Sequence, residues 1–174
     1  VADAHYGPEA SHALMERLDE HLVSIPHSLG ELALLVLGLG HPPWPGTSAT
    51  TFLVAVYNQG TGQGFGYNWG DSSLCSLNAK GLQQLNEVDE EYISADGPMD
   101  IQEAKFEFQV EPGSLLLAYT DGVNECHYRS PLTSVTEREF RALYQRLPED
   151  DRALWFGQQL IELAFDRQGA RRDR

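Results

Sequence analysis

Four short stretches hold the side chains best suited to bind a cation or move a proton. Residues 1–7, VADAHYG, place Asp3 where a strand ends and His5 two positions on. A carboxylate leaving a strand can ligate a hard cation, and the backbone carbonyl of Ala4 can add a second oxygen. An Asp and a His in an ordinary turn is the plainer alternative. Gly70, Asp71 and Ser72 supply another carboxylate, although that triplet also suits a simple hairpin turn. Asp121 follows the apolar run Leu115–Tyr119 within residues 113–125, GSLLLAYTDGVNE. Its charge must reach water, a hydrogen-bonding turn or a metal, because burying a lone carboxylate is costly. Asp173, in the terminal GARRDR of residues 169–174, is either a last carboxylate ligand or part of a solvated charged tail.

The bulk properties narrow the partners. With 12 Lys and Arg against 26 Asp and Glu, the net charge is -14. That field repels a phosphate backbone, so DNA and RNA are excluded as expected partners. An excess of carboxylates suits magnesium or manganese, though most acidic side chains on a protein surface are simply solvated. Cys75 and Cys126 stand far apart with no CxxC or Cys/His cluster, which argues against a zinc knuckle or a disulfide framework and for a reduced, cytoplasmic setting. The longest apolar run, Leu32–Leu39, is too short to span a bilayer, so no membrane partner is expected. A length of 174 residues with 41% apolar content is the size of one domain with a real core, taken as residues 1–174.

The elements that must position these residues follow from periodicity. Val1–Asp3 reads as a strand end. Pro8 starts a helix whose stripe is Ala10, Leu14, Leu18, His21 and Leu22, running to about Ser24 before Pro26. Leu29–Leu39 is a second apolar helix, and Gly40–Gly46 a loop. Thr47–Tyr57 is rich in β-branched and aromatic residues and predicts a strand. Phe65–Trp69 and Leu74–Leu77 look like two arms of one hairpin around residues 70–72, with another turn at Lys80 and Gly81. Past the acidic stretch 87–100, Phe106, Phe108 and Val110 alternate with polar residues as in a half-buried strand, and Leu115–Tyr119 reads as a strand covered on both faces. Two helical stripes close the chain: Phe140, Leu143, Tyr144 and Leu147, then Leu154, Gly157, Ile161, Ala164 and Phe165. Helix, strands, then helices predict a layered α+β domain.

Taken in order, the four stretches resemble the metal-dependent type 2C serine/threonine protein phosphatases, a superfamily that includes the bacterial stage II sporulation phosphatases. VADAHYG is similar to V-x-D-G-H-G-G, GTSATTFLVAV to the G-S/T-x-A strand, and YNWGDSSL to the N-x-G-D-S-R hairpin. PGSLLLAYTDGVNE is close to the bacterial P-G-D-x-L-L-L-Y-T-D-G-V-x-E, and RRDR is similar to the approach to a closing D-N or D-D. The resemblance implies a four-layer α-β-β-α sandwich of two antiparallel sheets flanked by helices, without the terminal strands that family domains carry.

It further implies two Mn2+ or Mg2+ ions. Asp3 would bridge them, the Ala4 carbonyl and Asp121 would each ligate one, Asp71 would help hold a weaker metal, and Asp173 would be the last carboxylate. His5 would protonate the leaving hydroxyl. The expected activity is hydrolysis of phosphoserine and phosphothreonine in a signalling phosphoprotein by a metal-activated water, with no covalent intermediate. A catalytically inactive pseudophosphatase that binds a regulatory partner is the alternative. Ala4 and Tyr6 stand where the family has glycines, so a positive φ at position 4 would be strained. Ser73 replaces a common arginine, and the chain opens too late for the family's first acidic strand.

Overall fold

A computed structural model describes residues 1–40, 48–89, 92–94, 100–123 and 134–168. Most of the loop expected at Gly40–Gly46, part of the acidic stretch, and Cys126 and Asp173 lie outside the described residues. Two helices come early: α1, Glu9–His21, and α2, Leu29–Leu39. Ser28 caps α2 by accepting the Glu31 amide through its hydroxyl, and the Glu31 carboxylate accepts the His27 amide in return. α1 ends at His21, short of Ser24. The strands among the described residues are β1 Ala4–His5, β2 Ala49–Thr50, β3 Phe52–Tyr57, β4 Gln63–Trp69, β5 Ser73–Leu77, β6 Leu82–Gln84, β7 Ile93–Ser94, β8 Lys105–Gln109 and β9 Leu115–Tyr119. A one-turn helix, α3 Ile101–Ala104, precedes β8, and α4 Glu137–Arg146 and α5 Glu149–Gln168 follow β9.

The strands form two principal antiparallel sheets, β3-β4-β8 and β6-β5-β9, and a small third, β1-β2-β7. Their layering follows from side chains alternating along each strand. On β3, Phe52, Val54 and Val56 face a core shared with Leu14, Leu32 and Val36 of α1 and α2. Leu53, Ala55 and Tyr57 face the other way, onto Leu74, Phe108 and Leu116. β9 repeats the division: Leu116 joins that central core, while Leu115, Leu117 and Tyr119 meet Phe140, Leu143, Phe156 and Leu160 of α4 and α5. Three apolar cores therefore separate four layers, helix pair, sheet, sheet and helix pair. The fold class agrees with the expectation; β9 meets apolar side chains on both faces, but Leu115, Leu116 and Leu117 are only half-buried and Ala118 is exposed.

Two glycines on β4 make room for aromatic rings of its neighbour β8. Gly64 and Gly66 on β4 stand opposite Phe108 and Phe106 on β8. A Cβ at Gly64 would lie 2.1 Å from the Phe108 ring, and one at Gly66 would lie 2.5 Å from the Val54 carbonyl and 2.7 Å from the Phe106 ring. The rings occupy the space that side chains on β4 would need.

Three expectations are corrected. β4 and β5 are not arms of one hairpin: β4 pairs with β3 and β8, whereas β5 pairs with β6 and β9. Residues 70–72 carry the chain from one sheet to the other, a step that local turn residues do not distinguish from a hairpin. The Thr47–Tyr57 strand is divided at Thr51, because its first part pairs with β1 and β7 and its second with β4. On α5 the buried stripe is Phe156, Leu160 and Ala164, while Leu154 is 71% exposed, Ile161 52% and Phe165 49%. This helix has apolar residues on two faces, and only the position of α4 decides which is covered.

Candidate active site

Asp3 is held from its backbone. Its amide donates to the Thr51 hydroxyl at 2.9 Å, and its carbonyl accepts from the Thr51 amide at 3.1 Å and the Thr50 hydroxyl at 2.8 Å. Val1 and Leu53 exchange backbone bonds in the same register, but the strand itself is Ala4–His5, just after the strand end expected at Val1–Asp3. One Asp3 oxygen accepts the Ala4 amide at 3.0 Å. Ala4 itself sits in β1, opposite Thr50. Ala4 avoids the positive φ that its Cβ would strain; the left-handed backbone falls at Tyr6, with φ 58°, and a positive φ continues at Gly7, 125°. The Tyr6 ring is 85% exposed, so no packing offsets its backbone conformation. Ser48 ties this turn down by donating to the Gly7 carbonyl and accepting the Ala10 amide at the start of α1.

Asp71 is positioned by the crossing between sheets. The Asn68 amide group donates to the carbonyls of Gly70 and Glu87, and Asp89 accepts the Gly70 amide. Asn86 accepts the Leu74 amide at 2.7 Å and donates to the Ser72 carbonyl at 2.9 Å. The Ser72 and Thr51 hydroxyls, both buried, meet at 2.8 Å and join the Asp71 turn to the Asp3 strand. Asp121 arrives by register. Ser73 pairs with Tyr119 at the end of the β5–β9 ladder, and continuing that antiparallel register brings the Asp71 turn opposite Asp121 in the 3₁₀ turn Asp121–Val123.

The four side chains interact. Burial holds the Asp3 carboxyl above its ordinary pKa, and the neighbouring Asp121 carboxyl pushes the same way, against a smaller pull from the Ala4 amide and His5. Asp71 is raised by burial first and by the charge of Asp121 second, opposed by His5 and by the Tyr92 hydroxyl. His5 Nε2 lies 4.0 Å from Asp3 Oδ2. A reading in which Asp3 and Asp121 are unrelated turn residues fails on this contact.

The crowding by Asp121 that raises the proton affinity of Asp3 and Asp71 is what a cation would relieve. Asp71 Oδ1 and His5 Nε2 are also buried without a hydrogen-bond partner among the described residues. An oxygen donor set of this kind fits magnesium or manganese better than zinc. Among the described residues, no three His, Cys, Asp or Glu side chains converge closely enough to form a complete ligand group.

The sequence reading missed the residues that build the site without bearing its charge. Asn86, Asp89 and Tyr92 lie in or beside the acidic stretch, where nothing in the pattern marks them. Asn68 was visible only as a letter of the N-x-G-D-S motif, and its role as a clamp on the Gly70 carbonyl emerges from the fold.

Comparison with solved structures places this architecture among protein phosphatases. A variant of a bacterial serine phosphatase matches with a TM-score of 0.69 at 15% identity, over 96% of this chain and 77% of that one. The catalytic domain of the serine/threonine protein phosphatase PstP, in complex with two manganese ions, matches with a TM-score of 0.67 at 17% identity, over 97% and 80%. The PPM Ser-Thr phosphatase MsPP from Mycobacterium smegmatis, in complex with cacodylate, matches with a TM-score of 0.64 at 18% identity, over 97% and 81%. A search of curated proteins finds no significant match. The profile of stage II sporulation protein E covers residues 8–169, leaving Asp3 and His5 just ahead of the matched span. Sharing that profile over nearly its whole length and the phosphatase sandwich in three dimensions, the chain belongs to the stage II sporulation protein E family.

Proposed function

We propose that this protein hydrolyses phosphoserine and phosphothreonine esters in a phosphoprotein substrate, using two Mn2+ or Mg2+ ions and no covalent intermediate. The observation that carries the reading is the meeting of Asp3 and Asp121, far apart in the chain, beside Asp71 and His5. Asp3, the Ala4 carbonyl and Asp121 would hold the ions, with Asp71 assisting and Asp173 as a further carboxylate. When bound, such ions supply Lewis-acid activation of the attacking water and neutralise charge on the phosphoryl oxygens.

The chain's own groups do the rest. The strand pairing of Asp3 and the clamped turn of Asp71 preorganise the carboxylates before any ligand arrives, so little reorganisation is needed on binding. His5 Nε2, lacking a partner among the described residues, is free to face the oxygen of the leaving alcohol and give it a proton. A serine or threonine alkoxide leaves poorly unless protonated, and a positioned acid contributes about 10²-fold or more to that step.

The test is manganese-stimulated phosphate release from a phosphoserine peptide. The expected result is turnover that depends on metal and drops by about 10²-fold or more in Asp121→Asn, the order expected when a group acting on transition-state charge is removed. Absence of turnover in protein with verified metal occupancy overturns the enzymatic reading. A non-catalytic binding module is the second reading, favoured by the incomplete convergence of ligands among the described residues. Calorimetry separates the two: the binding-module reading expects no manganese binding that depends on Asp3 or Asp121.

A further inference from the structure

Tyr92 occupies the gap between the proton donor and the third carboxylate. Its ring centroid lies 4.2 Å from that of His5, with the planes tilted by 44°. Its hydroxyl donates to Asp71 Oδ2 at 3.4 Å, a long and weak bond. The residue is half-buried and stands next to β7, whose Ile93 pairs with Thr50 of β2, and Thr50 in turn pairs with Ala4 of β1. One small sheet therefore carries His5 on one edge strand and delivers Tyr92 from the other. With no hydrogen-bond partner at Nε2 among the described residues and Asp3 Oδ2 4.0 Å away, the His5 imidazole has the Tyr92 ring as its observed ring contact.

We infer that Tyr92 is a positioning residue with two separable tasks. Its ring fixes the plane of His5 so that Nε2 faces the leaving oxygen, and its hydroxyl orients Asp71. This rests on the phosphatase reading above. Because the ring and the hydroxyl act on different partners, Tyr92→Phe removes one task and Tyr92→Ala removes both.

The experiment compares wild type, Tyr92→Phe, Tyr92→Ala, His5→Ala and the Tyr92→Ala/His5→Ala double variant, all loaded with manganese. Substrates are a phosphoserine peptide and p-nitrophenyl phosphate, whose phenolate leaves without needing a proton. In Tyr92→Ala the ratio of peptide to aryl kcat should fall about tenfold or more, part of the full contribution of a general acid. In Tyr92→Phe that ratio should hold, while apparent manganese affinity drops severalfold. Adding Tyr92→Ala to His5→Ala should produce no further change in the ratio, since the ring acts through His5. Equal losses on both substrates, or a full additional loss in the double variant, would overturn the inference.

A second readout does not require turnover. In histidine-labelled protein the His5 ring protons should show an upfield ring-current shift that survives in Tyr92→Phe and vanishes in Tyr92→Ala. An unchanged His5 spectrum in Tyr92→Ala refutes the positioning role. If wild type turned over neither substrate, the phosphatase reading would fall while this spectrum still decided the role of Tyr92.

Discussion

At Asp3 two ordinary preferences conflict: the strand ladder holds its backbone in place, while burial and Asp121 disfavour its negative charge. The folded protein therefore holds the Asp3 proton more tightly than the unfolded chain does. The associated stability is fully present below the ordinary aspartate pKa and is lost as pH rises through the raised value. Asp71 is raised as well and adds in the same direction. In the absence of divalent ions, thermal denaturation should accordingly show this contribution declining as pH rises through and above the usual carboxylate range. Manganese should raise Tm at neutral pH, and the increment should shrink on acidification as protons compete for the same oxygens. Asp121→Asn makes the complementary case. Relieving the repulsion should raise the Tm of the metal-free protein slightly while abolishing the manganese increment, the trade between stability and function expected where like charges are held together. A scan of Tm against pH, with and without manganese, checks all three.

The turns that present these residues are strained or braced in ways that predict different outcomes. Tyr6 adopts φ 58° with its ring exposed. Tyr6→Gly should stabilise the protein by up to about 1 kcal/mol, since a left-handed residue with a Cβ costs roughly 1–2 kcal/mol and glycine gives part of that back as unfolded-state entropy. For a chain of this size the shift is about 2–4 °C in Tm. Asn86 is the opposite case, because it accepts the Leu74 amide and donates to the Ser72 carbonyl from a buried position. Asn86→Ala strands two buried backbone groups and should cost about 2–4 kcal/mol. It should also weaken manganese binding, because the segment it releases carries Asp71.

Across the whole molecule, the central core between the sheets rests on few side chains: Leu53, Leu74, Phe108 and Val110 are its buried members. Phe108 also fills the space left by Gly64. Phe108→Ala should cost about 3–5 kcal/mol. Gly64→Ala should also destabilise, by about 1–3 kcal/mol, because the added methyl has only the Phe108 ring to displace. Leu154→Ser on the exposed side of α5 should fall within about 0.5 kcal/mol of wild type. Urea denaturation of the three variants orders them. Loss of the central core should separate β9, which leads into Asp121, from β3, whose start is bonded to the Asp3 segment, so Phe108→Ala should lose manganese affinity along with stability.

Much of this molecule was legible in its linear pattern. The bounds of α2, the strand at Leu115–Tyr119, the α+β class and the candidates Asp3, His5, Asp71 and Asp121 were all accessible, because periodicity and strand-exit motifs are local. Pairing was not local. Gly70–Ser72 looks the same whether it closes a hairpin or crosses between sheets, and only the register of β5 against β9 places Asp71 opposite Asp121. The covered face of α5 depended on α4, and the left-handed residue at Tyr6 on how the turn docks against Ser48. Tyr92 could not be found at all from the chain, since its importance lies in being 4.2 Å from His5, and sequence carries no distances between residues so far apart. What the order of residues supplied was a set of candidate groups for binding a cation or giving a proton. Bringing two repelling carboxylates into contact required the folding free energy of three packed cores, and that is a property of the tertiary structure alone.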